Sequence, residues 1–228
     1  AQCASACADG YVYIDRFSAI GLRGIKDAEA LNQQLQELRL RATAMPVLAS
    51  PLSAEAKHTA QDIAAELGAA EGGPGLAVIA HDDVPTGAAA VSLSIDGDGG
   101  LRLERSPLGD APSAPLTPQA AAHHYEEALQ GAESLEHSAS DLAEPGPIGW
   151  LDDHLPAGVV CLGAGVHRGA IPAEFAHLIG QLEVDITVTP WGGLVFHNIA
   201  EGDAEVVLRV LAPRGFIFDI NSPLLRAE

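Results

Sequence analysis

The sequence is poor in aromatic residues, in cysteine and in positive charge. Phe, Trp and Tyr make up 4% of its 228 residues, so Leu, Ile, Val and Ala must supply most of the core. Three cysteines, Cys3, Cys7 and Cys161, are too few and too unevenly placed for a disulfide framework, and reduced thiols are expected. Twelve basic residues stand against 31 acidic ones, for a net charge of −19. Such a surface repels phosphate backbones and anionic membranes, so neither nucleic acid nor a membrane is an expected partner. No apolar run approaches the roughly 20 residues that cross a bilayer. No basic-then-apolar leader stands at the start, so the expected location is the cytoplasm. No Ser-His-Asp arrangement or nucleophile elbow stands out.

What is present is a pattern that occurs twice. From Val184 to Ile199 the chain reads VDITVTPWGGLVFHNI. Val184, Ile186 and Val188 alternate with Asp185, Thr187 and Thr189, the period of a half-buried strand. Pro190-Trp191-Gly192-Gly193 then carries turn chemistry, and Leu194–Ile199 returns as a second strand. A helix over Asp203–Leu211 and a short strand near Phe216–Asp219 follow. The early stretch has the same plan: Tyr11–Arg16 and Ile20–Ile25 form a hairpin, and a helix spans Asp27–Leu40. Laid one over the other, Ile14 falls on Val188, Phe17 on Trp191, Leu22 on Phe196 and Ile25 on Ile199. Ser-Pro-Leu recurs downstream of each hairpin, at Ser50–Leu52 and Ser222–Leu224. These repeats point to an internal duplication.

Residues 1–10 read as a flexible lead-in. Asp27 takes the N-cap role of its helix, with Ala30, Leu31, Leu35 and Leu38 as the buried stripe. Ser53 caps a second helix running to about Leu67. Leu76–Ala80, Ala89–Ile95 and Leu101–Glu104 are strands, the last two joined through an Asp/Gly-rich turn. A proline-bearing loop over 106–118 leads to a helix from Pro118 to Leu129, capped by Thr117. Residues 130–147 have linker composition. Val159–Gly163 is a strand, Gly163, Gly165 and Gly169 tighten the loop after it, and Pro172 opens a helix to about Leu182. The final unit thus has strand–helix–strand–strand–helix–strand order, the split βαβ or ferredoxin-like plan. The expected class is α+β: duplicated ferredoxin-like half-domains with an intervening α/β segment. The expected boundaries are 1–45 for a partial first half-domain, 46–145 for the α/β segment and linker, and 146–228 for the second half-domain.

Asp15–Ile25, Val47–Ser53, Ile148–Leu151, Leu162–Val166 and Thr187–Phe196 together resemble the precorrin-3B synthase branch of the nitrite and sulfite reductase family. The resemblance implies two ferredoxin-like halves clasping a sirohaem bridged to a [4Fe–4S] cluster. It implies an oxidoreductase acting on a tetrapyrrole in cobalamin biosynthesis. It also implies that arginines on the hairpins hold the acidic substituents of the macrocycle, and Arg16 and Arg23 match that pattern. Guanidinium groups suit the task because they bind carboxylates through paired, charge-assisted hydrogen bonds. Two solvated strand arginines are the plainer reading. Trp191, in the Thr-Pro-Trp turn, is the matching residue of the second half.

The sequence departs from the family in several places. Gly192 stands where the turn usually continues with an arginine. The first strand and helix of the first half have no counterpart, and the chain resembles a shortened or degenerate member. A cubane cluster needs four thiolates; only three cysteines exist here. Cys3-x3-Cys7 has the spacing of one family ligand pair, at the other end of the chain, and is the candidate metal pair; two incidental thiols on a loose terminus is the alternative. Cys161 reads as a small core residue. The alternative function is therefore a non-catalytic relative that binds an anionic tetrapyrrole, a partner subunit or a second copy of itself. His81-Asp82-Asp83, and His124 with Glu127 on one helix face, lack complete ligand sets and read as solvated surface. Gly163-x-Gly165-x-x-x-Gly169 lacks the dinucleotide spacing and reads as a tight turn.

Overall fold

The computed structural model describes residues 1–14, 18–38, 47–67, 75–80, 89–96, 98–106, 108, 114–131, 146–151, 155–189 and 191–225. The expectations for Arg16, Phe17, Pro190 and His81-Asp82-Asp83, and for most of the 130–147 linker, lie outside these residues. The chain divides into two compact units, one from Ala1–Ala42 and Pro145–Glu228 together, the other from Thr43–Glu144. Among the described residues no helix is long and apolar enough to cross a membrane.

The first unit opens with helix α1 (Gln2–Cys7) and the hairpin of β1 (Tyr11–Ile14) and β2 (Ile20–Gly21). Helix α2 (Ala28–Glu37) follows, with the Asp27 carboxylate accepting from the Ala30 N–H at 2.9 Å as an N-cap. The flexible lead-in is therefore corrected to a helix. Cys3, Ala4 and Cys7 share one face of α1 and are buried, with Ala4 packed among Val12 and Ala173. The stripe expected on α2 is only half-buried, and Leu38 is exposed just past its end.

The second unit, Thr43–Glu144, begins with β3 (Val47–Ala49), α3 (Ala54–Leu67), β4 (Gly75–Ile79), β5 (Ala89–Ile95) and β6 (Leu101–Arg105). Its four strands pair in the order β3-β4-β5-β6, parallel for the first two pairings and antiparallel for the last. Helix α4 (Pro118–Gly131) packs with α3 over this sheet, burying Ile63, Val91, Leu93 and Tyr125 in one core. Both helix starts are capped as their sequences require: Ser53 Oγ accepts from the Ala56 N–H at 3.1 Å, and Thr117 Oγ1 from the Ala120 N–H at 3.2 Å.

The chain then re-enters the first unit. It forms β7 (Gly149–Leu151), β8 (Val159–Val166), β9 (Ala170–Pro172), α5 (Ala173–Gly180), β10 (Ile186–Thr189), β11 (Gly193–Ala200), α6 (Glu201–Leu211) and β12 (Phe216–Ile217). One sheet has the order β10-β11-β8-β12, all antiparallel, which is the ferredoxin-like arrangement. Val160, Leu162 and Ala164 of β8 alternate onto one face, where they meet Leu194 and Phe196 of β11, Ile179 of α5 and Val207 and Leu211 of α6. Burying a Leu or Phe side chain of this kind contributes about 1.5–3 kcal/mol. The class is α+β with ferredoxin-like construction.

The two Ser-Pro-Leu triplets adopt the same turn. The Ser50 carbonyl accepts from the Ser53 N–H, and the Ser222 carbonyl from the Leu225 N–H, each at 3.2 Å. Each hairpin is also flanked by helices, α1 and α2 or α5 and α6. The expected absence of a helix before the first hairpin is thus corrected by α1. Strand pairing differs between the two: β1 lies between β2 and β9, whereas in the second hairpin the later strand, β11, is the inner one.

Gly163 and Gly165 lie within β8, not in the loop after it. The reason is a close crossing: a Cβ on Gly163 would sit 1.9 Å from the Pro147 carbonyl oxygen. Pro172 likewise ends β9 and caps α5 instead of opening it. We expect Gly163→Ala to lower stability by at least about 2 kcal/mol, as overpacking against backbone does. Gly180→Ala, where a Cβ meets no atom within 4 Å, is the neutral control. Urea denaturation of the three proteins checks this.

Candidate functional site

Two features of the first unit gather the residues that the sequence singles out. The first is built on β1. Val12 and Ile14 are buried, while Tyr11 and Tyr13 occupy the alternate, more open positions. Asp9, just before the strand, is tied to both tyrosines. One carboxylate oxygen accepts from the Tyr11 backbone N–H at 3.0 Å, and the other accepts from the Tyr13 hydroxyl at 2.7 Å. The Arg23 guanidinium carbon lies 4.3 Å from the centre of the Tyr13 ring. The Asp9 N–H donates to the Arg23 carbonyl at 3.1 Å, so the strand entrance and the segment after β2 are held together. A cation over an aromatic face contributes about 0.5–1 kcal/mol at an exposed site and restricts the guanidinium's orientation.

The electrostatics follow from these contacts. The Tyr13 hydroxyl bond, the Tyr11 N–H and the nearby Lys26 charge hold the Asp9 carboxyl below its ordinary range, against a smaller desolvation effect. The same bond raises the Tyr13 phenol, burial and the Asp9 charge adding to it and Arg23 opposing it. The result is an ionised carboxylate, a neutral phenol and a guanidinium in sequence at neutral pH. A guanidinium carries its N–H donors in its own plane, where a carboxylate can meet two of them at once.

The second feature is a meeting of turns. Thr189 is buried and closes the turn between β10 and β11: its carbonyl accepts from the Gly192 N–H at 3.1 Å and its hydroxyl from the Gly193 N–H at 3.2 Å. Trp191 is half-buried, and its ring lies so close to Gly146 that a Cβ there would be 2.4 Å from the indole. A Cβ on Gly192 would lie 4.0 Å from the Gly169 Cα. Gly169, at φ 60°, closes the turn between β8 and β9, and a Cβ on it would lie 2.4 Å from the Ile14 carbonyl oxygen. The end of β1, the turn at Gly169 and the turn at Gly192 therefore converge.

Of the expected site residues, Arg23 and Trp191 fall one on each feature, and Arg16 lies outside the described residues. Cys3 and Cys7 lie one helical turn apart on α1, buried, with free thiols. Burial first, then the charges of Asp27 and Cys3, push the Cys7 thiol up. Cys161 is buried in β8 as expected, with its sulfur 3.6 Å from His197 Nδ1, whose Nε2 lies 2.7 Å from Thr187 Oγ1. Among the described residues no group of three or more His, Cys, Asp or Glu side chains is placed to hold a metal. On α4 the Glu127 carboxylate lies 3.5 Å from His123 Nε2; His124 turns instead to Ser106 Oγ at 2.9 Å. The spacing of four residues explains that correction. Sequence reasoning missed Asp9 and Tyr13. The alternation Asp9-x-Tyr11-x-Tyr13 was the available signal for both.

Neither a protein-family profile nor a curated protein matches this sequence. Among solved structures the chain is similar to the Mycobacterium tuberculosis NirA protein, with a TM-score of 0.69 at 16% identity. The match covers 96% of this chain and 54% of that one, so the chain spans about half the length of its structural neighbour. At that identity the likeness is one of fold alone, α+β with ferredoxin-like construction.

The Asp9–Tyr13 bond has a measurable signature. Its Asp9 share of stability is present above the ordinary carboxyl pKa of about 3.9 and is lost as pH falls through the depressed folded value. Its Tyr13 share is present below about pH 10 and is lost as pH rises through the raised folded value. In Tyr13→Phe, NMR titration should show the Asp9 carboxyl returning toward its ordinary pKa. An unchanged Asp9 titration would refute the assigned bond.

Proposed function

We propose that this chain binds a carboxylate-rich tetrapyrrole and belongs with the sirohaem oxidoreductases of the precorrin-3B synthase kind, acting on a tetrapyrrole in cobalamin biosynthesis. The observation that carries this reading is the fold, which follows the NirA structure across 96% of the chain. Support comes from the convergence of both hairpins in one unit and from the guanidinium of Arg23, braced by Tyr13 on a strongly acidic protein. An anionic macrocycle approaching a surface of net charge −19 needs local cations, and their donors must be oriented to be selective.

The residues present fit the macrocycle. Arg23 would hold a peripheral carboxylate through its edge N–H groups, and Arg16, on the same hairpin by sequence, would hold another. Trp191, wedged against Gly146, would keep the second turn rigid beside the ring. Sirohaem, when bound, supplies a redox-active iron. The protein's own part is to hold the substituents, set the ring's orientation and keep the turn backbones from shifting.

The residues do not fit the [4Fe–4S] cluster. Within these 228 residues there are three cysteines, all buried, and the Cys7 thiol is pushed away from the thiolate form that a cluster requires. For these 228 residues that mismatch suits the second reading, a non-catalytic tetrapyrrole- or partner-binding relative that has lost the cluster ligands.

The test is an anaerobic absorbance titration with sirohaem. Wild-type protein should bind saturably, and Arg23→Ala should weaken binding about tenfold, equivalent to about 1.4 kcal/mol. Absence of binding by the wild type would overturn the proposal. Acid-labile sulfide in protein purified anaerobically with iron supplied would favour the catalytic reading over the second.

A further inference from the structure

We propose that Cys161 is a peroxide-reactive thiol, with His197 as its base and Thr187 holding the imidazole in place. The inference stands apart from tetrapyrrole binding and uses none of the residues assigned to it.

Three adjacent strands build the group. Val160 and Leu162 of β8 face the helix-covered core, so Cys161 between them faces the other side of the sheet. Phe196 of β11, and Ile186 and Val188 of β10, also pack on the core side, which sends His197 and Thr187 to the same side as Cys161. The order β10-β11-β8 sets the three in a row. The Cys161 sulfur lies 3.6 Å from His197 Nδ1, and His197 Nε2 lies 2.7 Å from Thr187 Oγ1.

A break in the ladder aims the imidazole. β11 pairs with β8 at Phe196↔Leu162 and again at Ile199↔Val160, so His197 and Asn198 together oppose Cys161. This is a β-bulge, a device that re-aims a side chain within a rigid sheet. Asn198 absorbs it with a left-handed φ of 52°, which asparagine tolerates better than most residues. Ile199 thereby returns to the core while His197 stays beside the thiol.

The chemistry follows from the row. With its proton on Nε2, the imidazole donates to Thr187 Oγ1 and leaves Nδ1 to accept from the Cys161 S–H. A nucleophile, a base within reach and a third group that orients the base form the arrangement that activates a thiol. Access selects the electrophile: Cys161 is 5% exposed, so only a molecule near the size of water reaches it, and hydrogen peroxide is one. The sulfur lone pair attacks one peroxide oxygen as the O–O bond breaks. The thiol proton passes to Nδ1 and then to the departing hydroxide, which leaves as water. The thiol is oxidised by two electrons to a sulfenic acid, and the peroxide is reduced.

Cys3 and Cys7, at 8% and 1% exposure, bracket Cys161 and serve as internal controls. The folded protein is treated with hydrogen peroxide, remaining thiols are capped with N-ethylmaleimide in denaturant, and each cysteine is quantified by fragment mass spectrometry. The Cys161 thiol should disappear at least about tenfold faster than that of Cys3, since a positioned base contributes about 10²–10⁴-fold. His197→Gln should remove that advantage and leave the Cys3 and Cys7 rates unchanged. Thr187→Val should slow Cys161 severalfold, and Thr187→Ser, which keeps the hydroxyl, should react as wild type does. A wild-type Cys161 rate between those of Cys3 and Cys7, the order that burial alone sets, would overturn the proposal. So would an undiminished Cys161 rate in His197→Gln. Equal slowing in the two Thr187 variants would overturn the role given to Thr187. Where His197→Gln loosens the fold and quickens all three thiols, the wild-type order and the Thr187 pair decide.

Discussion

One run of backbone, Val159 to Pro172, ties the first unit together. Its first part, β8, is one of the two inner strands of the ferredoxin-like sheet; its last part, β9, extends the sheet begun by β1 and β2. Between them Gly169 passes so close to the Ile14 carbonyl that no side chain fits. The front of the chain is thereby joined to the rear by main-chain hydrogen bonds and one backbone crossing, with Val12 packed among Ala4 and Ala173 and Ile14 in the core of the ferredoxin-like sheet. Pairing of this kind is non-local and closes a loop of more than a hundred residues, yet each doubling of loop length adds only about 0.6 kcal/mol.

That construction explains how a protein so short of aromatics and cations can still organise a binding surface. The core is mostly aliphatic, and two of the alternate positions of β8 on the opposite sheet face are Gly163 and Gly165. The segment through Gly146 and Pro147 lies directly on that face, against Trp191 and Gly163. Cations are then needed only where backbone elements meet. Arg23 is braced by an aromatic ring, and that ring is in turn anchored by Asp9. The acidic excess elsewhere makes these few guanidiniums the natural landing points for a polyanion.

The cysteines show the opposite logic. Spacing alone cannot tell a ligand pair from a packed helix face, since Cys3 and Cys7 lie one turn apart in either case. Burial decides between them: a thiol inside a small helix packed against its neighbours behaves as a compact apolar group. His123 and His124 give a smaller instance, where helical geometry pairs Glu127 with the residue four positions away.

Local patterns were enough to specify most elements by themselves. Alternation marked the strands, the Ser, Thr and Asp caps marked the helix starts, and the strand–helix–strand–strand–helix–strand order marked the ferredoxin-like half. These are short-range effects, written within a few residues of where they act. The helix at the N-terminus escaped notice because its stabilisation comes from Val12 and Ala173, neither part of its own pattern. The sequence could nominate Arg23 and Trp191 by type and context. Only the tertiary structure decided that β9 pairs with β1, that Tyr13 and Asp9 brace Arg23, and that the turns at Gly169 and Gly192 meet the end of β1. Those contacts join residues far apart in the chain, and steric closeness between distant backbones leaves no trace in local periodicity beyond a glycine.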